Sequence, residues 1–116
     1  MAKTPRAAAL GAAAEAAAAG WYEAQGFTVL ARNWRTKSGE LDVVVRLDDV
    51  VVVVEVKARS SARFGTGLDA ITPDKLARLH RLGRAFLREH QLSAVRLRVD
   101  IASWVDGTWD IITDVS

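Results

Sequence analysis

The chain has 116 residues, of which half are hydrophobic and 26% are charged, as expected of one folded domain. It contains no cysteine, which excludes disulfide scaffolds and thiolate metal sites. No apolar run reaches the roughly 18 residues that span a bilayer, and Glu15 interrupts the only stretch that resembles a signal peptide. We therefore expect one domain over residues 1–116, with residues 1–6 flexible, in the cytoplasm and without membrane contact.

The net charge of +2 is unevenly distributed along the chain. Residues 57–98 contain ten Lys and Arg against three Asp and Glu, a net charge of +7, so the remainder carries −5. A polyanion-binding surface beside an acidic metal site produces such an asymmetry. Solvated surface charge produces it too, so the charge pattern alone does not decide the function.

The first predicted element is a helix over residues 7–25, which are rich in alanine, and Gly26 ends it. Three strands are predicted next, at 27–34, 40–47 and 50–58, because β-branched and aromatic residues are frequent there.

Gly and Ser residues predict a loop at 60–72. A second helix is predicted from Thr72-Pro73 to about His90, since a hydroxyl N-cap followed by proline is a strong helix start. Strands at 94–105 and 108–115 complete the chain. The order α-β-β-β-α-β-β predicts an α/β domain in which a mixed sheet is flanked by helices and the fourth strand runs parallel to the third.

The third strand is unusual because five valines, Val50–Val54, lead directly into Glu55 and Lys57. A two-residue hairpin turn at 48–49 would place Asp42 opposite Glu55 in the preceding strand. Like charges opposed across two strands are destabilising. Two converging carboxylates are, however, suitable ligands for Mg²⁺ or Mn²⁺, so the register predicts a metal site.

The same register places Glu40 opposite Lys57. Lys57 lies two residues after Glu55 and hence on the same face of the strand, where it can reach a scissile phosphate or the attacking water. Asp42, Glu55 and Lys57 would together suit metal-assisted phosphodiester hydrolysis. The alternative interpretation is that these charges only mark the end of a strand.

These residues belong to three motifs, RNWRTKSGELD at 32–42, VVVEVKAR at 52–59 and RFGTGLDAITPDKLARL at 63–79. Together, from about Gly11 to Asp100, they resemble the bacterial UPF0102 or YraN-like proteins. That family is grouped with the PD-(D/E)XK endonuclease-like superfamily and resembles archaeal Holliday-junction resolvases. The resemblance implies a restriction-endonuclease-like fold and a metal-dependent nuclease acting on DNA, with structured or branched DNA as a candidate substrate.

The resemblance also implies a set of site residues. Asp42, Glu55 and Lys57 would be catalytic, with Asp42 and Glu55 binding Mg²⁺ or Mn²⁺. Glu15 matches the N-terminal acidic position of the family and would be a further catalytic carboxylate. Lys75 matches a lysine at the start of the second helix.

Candidate contacts to DNA phosphates are Lys75, Arg78 and Arg81 on the second helix and Arg63 in the preceding loop, because a helix N-terminus with basic residues attracts anions. Two other functions stay open. The chain could be a nucleic-acid-binding protein that keeps the fold without catalysis, or a structural interaction module whose acidic cluster is incidental. A homodimer is also open.

Overall fold

The computed structural model describes residues 5–59, 71–105 and 107–115. These ranges contain α1 (Pro5–Ala24), β1 (Thr28–Thr36), β2 (Gly39–Leu47), β3 (Val50–Arg59), α2 (Pro73–Glu89), β4 (Arg96–Val105) and β5 (Thr108–Ile112). The predicted α/β fold and its order of elements are confirmed. Most of the predicted loop, including Arg63, lies outside the described residues. Neither of these two helices is both long enough and apolar enough to cross a bilayer.

The five strands form one mixed sheet in the order β1-β2-β3-β4-β5. The first three strands are an antiparallel meander, β4 runs parallel to β3, and β5 returns antiparallel to β4. In the turn between β2 and β3, Leu47 pairs with Val50, and Asp48 has a φ of 53°. The two-residue hairpin turn is therefore confirmed, and with it the predicted register from the turn as far as the pair of Val43 and Val54.

The valines of β3 alternate between the two faces of the sheet, and one helix covers each face. The α1 side of the core contains Ala18, Ala19, Tyr22, Val43, Val45, Val52, Val54 and Ala102. The α2 side contains Leu41, Val44, Val51, Val53, Leu79, Leu82, Phe86 and Val99. Because both faces are covered, β3 is buried along most of its length, which explains its run of five valines.

A buried polar contact fastens α1 to the sheet. The Tyr22 hydroxyl donates a hydrogen bond of 2.6 Å to Asp100 on β4, and burial together with this bond raises the pKa of Tyr22. The guanidinium of Arg98 donates to both carboxylate oxygens of Asp100 at 2.9 Å. Asp100 is fully buried, so its charge is compensated by a bidentate partner and a hydroxyl donor.

The pairing of β1 with β2 has a register shift between Val29 and Ala31, and the regular alternation of side chains is broken again farther along both strands. Leu41 and Val43 are two residues apart, yet Leu41 packs on the α2 side and Val43 on the α1 side. Residues two apart in a regular strand share a face. Across from Asp42 in the register, Asn33 of β1 has a φ of 54°, a conformation that is uncommon outside glycine. At Asn33 and Asp42, therefore, the pattern of side chains that point toward α1 or toward α2 is reversed in both strands; we call this the reversal.

The close seating of α2 on the sheet predicts opposite effects of alanine at two helical glycines. A Cβ at Gly83 would lie 2.9 Å from Leu97 Cδ2 and 3.1 Å from Val53 Cγ2, whereas a Cβ at Gly20 on α1 meets no atom within 4 Å. We expect Gly83→Ala to lower the unfolding free energy by about 1–3 kcal/mol through overpacking. Gly20→Ala should raise it by about 0.5–1 kcal/mol.

Urea unfolding of both variants, followed by circular dichroism, measures the difference. Equal stabilisation by the two substitutions would mean that α2 does not lie this close to β3 and β4.

Candidate active site

The candidate site forms where β2 and β3 separate. Their ladder ends at the pair of Val43 and Val54, while β3 continues to Arg59 paired with β4. Immediately beyond the ladder, the carboxyl group of Asp42 accepts a hydrogen bond of 2.9 Å from the backbone N–H of Val56. A side chain thus takes the place of a backbone carbonyl, and a cleft opens between the strands.

The cleft has a volume of about 350 Å³. It is lined by Gly11, Glu15, Asp42, Glu55, Val56, Lys57, Ala58 and Lys75. The four residues predicted to be catalytic therefore share one cleft, although α1, β2 and β3 each contribute to it. Their catalytic role stays a prediction.

Asp42 and Glu55 form a hydrogen-bonded carboxyl pair in this cleft. Burial, and then the hydrogen bond and charge of Glu55, raise the pKa of Asp42 to about 8. Burial alone would raise the pKa of Glu55 as well, but the hydrogen bonds with Asp42 and Lys75 outweigh it and lower that pKa. Of the two carboxyl groups, Asp42 therefore holds a proton more tightly than Glu55.

Two lysines face this pair from different elements. The ammonium group of Lys75 on α2 lies 2.9 Å from the carboxylate of Glu55. Burial and the neighbouring Lys75 lower the pKa of Lys57. For Lys75, burial is outweighed by the contacts with Lys57 and Glu55, so its pKa is raised. Of these two lysines, Lys75 thus holds its proton more tightly, and Lys57 releases one more readily.

A third carboxylate and a fourth lie next to Asp42. Carboxylate oxygens of Glu15, Glu40 and Asp42 all lie within 4.8 Å of one another. With its amide oriented to donate, the Asn33 nitrogen lies 3.1 Å from one oxygen of Glu15 and 3.2 Å from an oxygen of Glu40. Asn33 and Glu40 were not predicted as members of this group, although both stand in the motif RNWRTKSGELD.

The expected pairing of Glu40 with Lys57 is wrong. Glu40 instead pairs with Arg35 of β1, whose Nε lies 2.9 Å from the Glu40 carboxylate. The physical reason is the reversal of facing at Asn33 and Asp42. The reversal turns the Glu40 side chain away from Lys57. The ladder between β2 and β3 also ends at Val43 and Val54, before Glu40 and Lys57 could pair.

The basic residues of α2 lie beside the cleft. Arg78, Arg81, Arg84 and Arg88 are exposed. Arg78 and Arg81 line a shallow groove of about 390 Å³, which is also lined by Thr72, Asp74 and Lys75 and is predominantly basic. Lys75 also lines the cleft, so the groove and the cleft are contiguous. Contact of Lys75, Arg78 and Arg81 with DNA stays a prediction.

The raised pKa of Asp42 predicts how stability depends on pH without metal. A carboxyl group whose pKa is higher in the folded state stabilises fully below its unfolded value of 3.8 and loses that contribution as the pH rises through about 8. The unfolding free energy of wild type should therefore fall across this window relative to Asp42→Asn. Each unit of pKa difference corresponds to about 1.4 kcal/mol.

Urea unfolding in a chelating buffer, at steps from acid to mildly alkaline pH, gives the difference between the two proteins. Asp49→Asn, at an exposed turn position, controls for the loss of a carboxyl group elsewhere. Parallel curves for wild type and Asp42→Asn would contradict the raised pKa of Asp42.

Comparison with known proteins agrees with the motifs. The model of the Uncharacterised protein family UPF0102 matches residues 14–104. The UPF0102 protein of Paenarthrobacter aurescens is 46% identical over 98 residues, which cover 84% of this chain and 81% of the relative. That of Beutenbergia cavernae is 47% identical over 95 residues, covering 82% and 80%, and that of Acidothermus cellulolyticus is 44% identical over 107 residues, covering 92% and 78%. The family match includes every candidate catalytic residue, and the chain belongs to the UPF0102 family.

Proposed function

We propose that this protein is a Mg²⁺- or Mn²⁺-dependent nuclease that hydrolyses phosphodiester bonds of DNA. The observation that carries the proposal is the carboxyl pair of Asp42 and Glu55, which shares a cleft with Lys57 and Lys75. Two carboxyl groups in contact repel each other when both are ionised, and burial together with the contact to Glu55 raises the pKa of Asp42. A divalent cation with oxygen ligands would relieve that repulsion, so the donor set fits such an ion.

In the proposed reaction Asp42 and Glu55 hold the ion, which when bound would lower the pKa of the attacking water and offset negative charge on the phosphate. Lys57 orients that water and accepts its proton, for which its lowered pKa is suited. As an ammonium ion it then stabilises the charge that develops on the phosphate. Glu15 closes the α1 side of the cleft and orients the water from there.

Lys75 has two roles in this proposal. Without metal, its ammonium group neutralises Glu55 at 2.9 Å. When Glu55 binds a cation instead, the two positive charges repel and Lys75 becomes available for a DNA phosphate. Its place in the first turn of α2 favours that contact, because a helix N-terminus attracts anions.

The groove lined by Lys75, Arg78 and Arg81, here called the basic groove, supports DNA as the substrate. Arg78 and Arg81 extend the positive surface away from the cleft along α2, as required to follow the phosphates that flank a scissile bond. Structured or branched DNA is the candidate form. We place the activity in the cytoplasm, a reducing compartment in which a chain without cysteine needs no disulfide.

One observation favours a second candidate, a nucleic-acid-binding protein without catalysis. The ion pair between Lys75 and Glu55 already compensates the charge of a predicted metal ligand. If that pair persists in the presence of metal and DNA, the acidic residues only position Lys75 at the end of the basic groove. Metal binding and cleavage separate the two candidates.

Two substitutions in the cleft should have different effects if the nuclease proposal is right. Lys57→Ala should lose at least about 100-fold in cleavage rate, a typical contribution of one proton-transferring group, and keep the rise in melting temperature that Mn²⁺ causes in wild type. Asp42→Asn should lose both, because a ligand that binds the folded state stabilises it only while its site is intact.

The assays are thermal melting against Mn²⁺ concentration and gel assays on single-stranded, duplex, flap and junction DNA. Lys37→Ala, which removes an exposed lysine outside the cleft, is the control. Turnover of Lys57→Ala at the wild-type rate would remove the lysine from the mechanism. Salt-sensitive DNA binding by wild type, with no cleavage of any substrate, would favour the second candidate.

Reversing charge in the groove should weaken DNA binding and flatten its salt dependence. If Arg78 and Arg81 each contact one phosphate, Arg78→Glu with Arg81→Glu should reduce the slope of log K against log salt by about 2, at roughly 0.9 per contact. Arg84→Glu with Arg88→Glu makes the same charge change farther along α2 and should have a smaller effect. Equal slopes for the two double variants would assign the effect to net charge alone.

A further inference from the structure

We propose that Asn33 is a positioning residue of the cleft: its backbone turns Glu40 toward α1, and its side-chain amide holds Glu40 and Glu15 together beside Asp42. The inference rests on the proposed function, because it concerns the carboxylates that would surround the metal and the attacking water. It assigns a role to a residue that contacts neither the lysines nor Glu55 in the described hydrogen bonds.

The backbone of Asn33 accounts for where Glu40 points. Leu41 packs on the α2 side, so its neighbour Glu40 faces the α1 side, where Glu15 lies. Without the reversal at Asn33, Glu40 would share a face with Lys57, as the uninterrupted register predicts. The φ of 54° at Asn33 is the local conformation at which β1 reverses, and β2 reverses with it.

Asp42 lies at the point of β2 where the side-chain pattern reverses, and its carboxyl group therefore has neighbours on both sides. On one side it is hydrogen-bonded to Glu55. On the other side its carboxyl group lies within 4.8 Å of Glu15 and Glu40. The reversal therefore joins the carboxyl pair of the cleft to two further carboxylates.

The side chain of Asn33 supplies donors between these carboxylates. Its nitrogen lies 3.2 Å from Glu40 and 3.1 and 3.2 Å from the two oxygens of Glu15, and a primary amide has two N–H donors. A neutral donor offsets part of the repulsion between the carboxylates without adding a cation that would compete with a metal ion.

Asparagine is the residue type that meets both requirements. It adopts positive φ more readily than most residues, and it carries two donors without charge. Glycine would permit the backbone but supply no donor. Glutamine would supply the donors from a side chain with one more rotatable bond and without the same tolerance of positive φ. Asn33 is exposed, so it is not there to fill the core.

The test compares two variants. Asn33→Gly keeps the backbone conformation and removes the amide, whereas Asn33→Ala removes the amide and also disfavours the positive φ. Removing a group that orients metal ligands typically weakens metal binding by about 10- to 100-fold. We expect Mn²⁺ affinity, measured by calorimetry, to fall by about 10-fold in Asn33→Gly and further in Asn33→Ala. Gln91→Gly, at another residue with a φ of 54° outside the cleft, is the matched control and should bind Mn²⁺ as wild type does.

A double-mutant cycle identifies the residue through which Asn33 acts. Combining Asn33→Gly with Glu15→Gln should weaken Mn²⁺ binding by less than the sum of the two single effects, because the amide then has only the Glu40 carboxylate left to hold. The same cycle on the unfolding free energy in a chelator should also be non-additive, and this second measurement does not depend on metal.

The outcomes separate the two proposals. Wild-type Mn²⁺ affinity in Asn33→Gly, or additivity in both cycles, would overturn the positioning role while leaving the nuclease proposal intact. Absence of Mn²⁺ binding and cleavage in wild type would overturn the nuclease proposal, and non-additivity in the chelator would still support the contact between Asn33 and Glu15.

Discussion

The hydrogen bond from the Val56 amide to the Asp42 carboxyl group is the contact on which the cleft depends. Up to Val54 the two strands satisfy each other's backbone groups. Beyond it, an unpaired N–H at the end of a buried strand would be costly, and Asp42 satisfies it from its side chain. The strands can therefore diverge without leaving that donor unpaired, and the carboxyl pair occupies the gap between them.

Several features could be predicted because they follow from local rules. A two-residue turn at Asp48 and Asp49 fixes the register of β2 and β3, and that register brings Asp42 to Glu55. The N-cap of α2 follows from Thr72 and Pro73, and Thr72 does accept a hydrogen bond from the amide of Lys75. Contacts of this kind depend on a few adjacent residues and on the period of the strand.

The remaining features depend on how distant elements meet. The ion pair between Lys75 and Glu55 exists because the first turn of α2 lies within reach of Glu55 on β3, which the residue types alone do not specify. The reversal at Asn33 is an irregularity, and strand periodicity assumes that there is none. That assumption placed Glu40 opposite Lys57, whereas the reversal brings its carboxylate close to that of Glu15. Sequence patterns thus predicted the members of the carboxyl pair better than the groups around it.

The anchor between Tyr22 and Asp100 has a consequence for how the length of α1 can vary. Glu15 precedes Tyr22 by about two helical turns, and each residue of an α-helix rotates the next by about 100°. One inserted or deleted residue between them would leave the tyrosine fixed in the core and swing the glutamate around the helix, out of the cleft. Changes in length before Gly11 would not alter this phase. The number of residues between Glu15 and Tyr22 is thus fixed by the structure, and this segment tolerates substitution more readily than insertion or deletion.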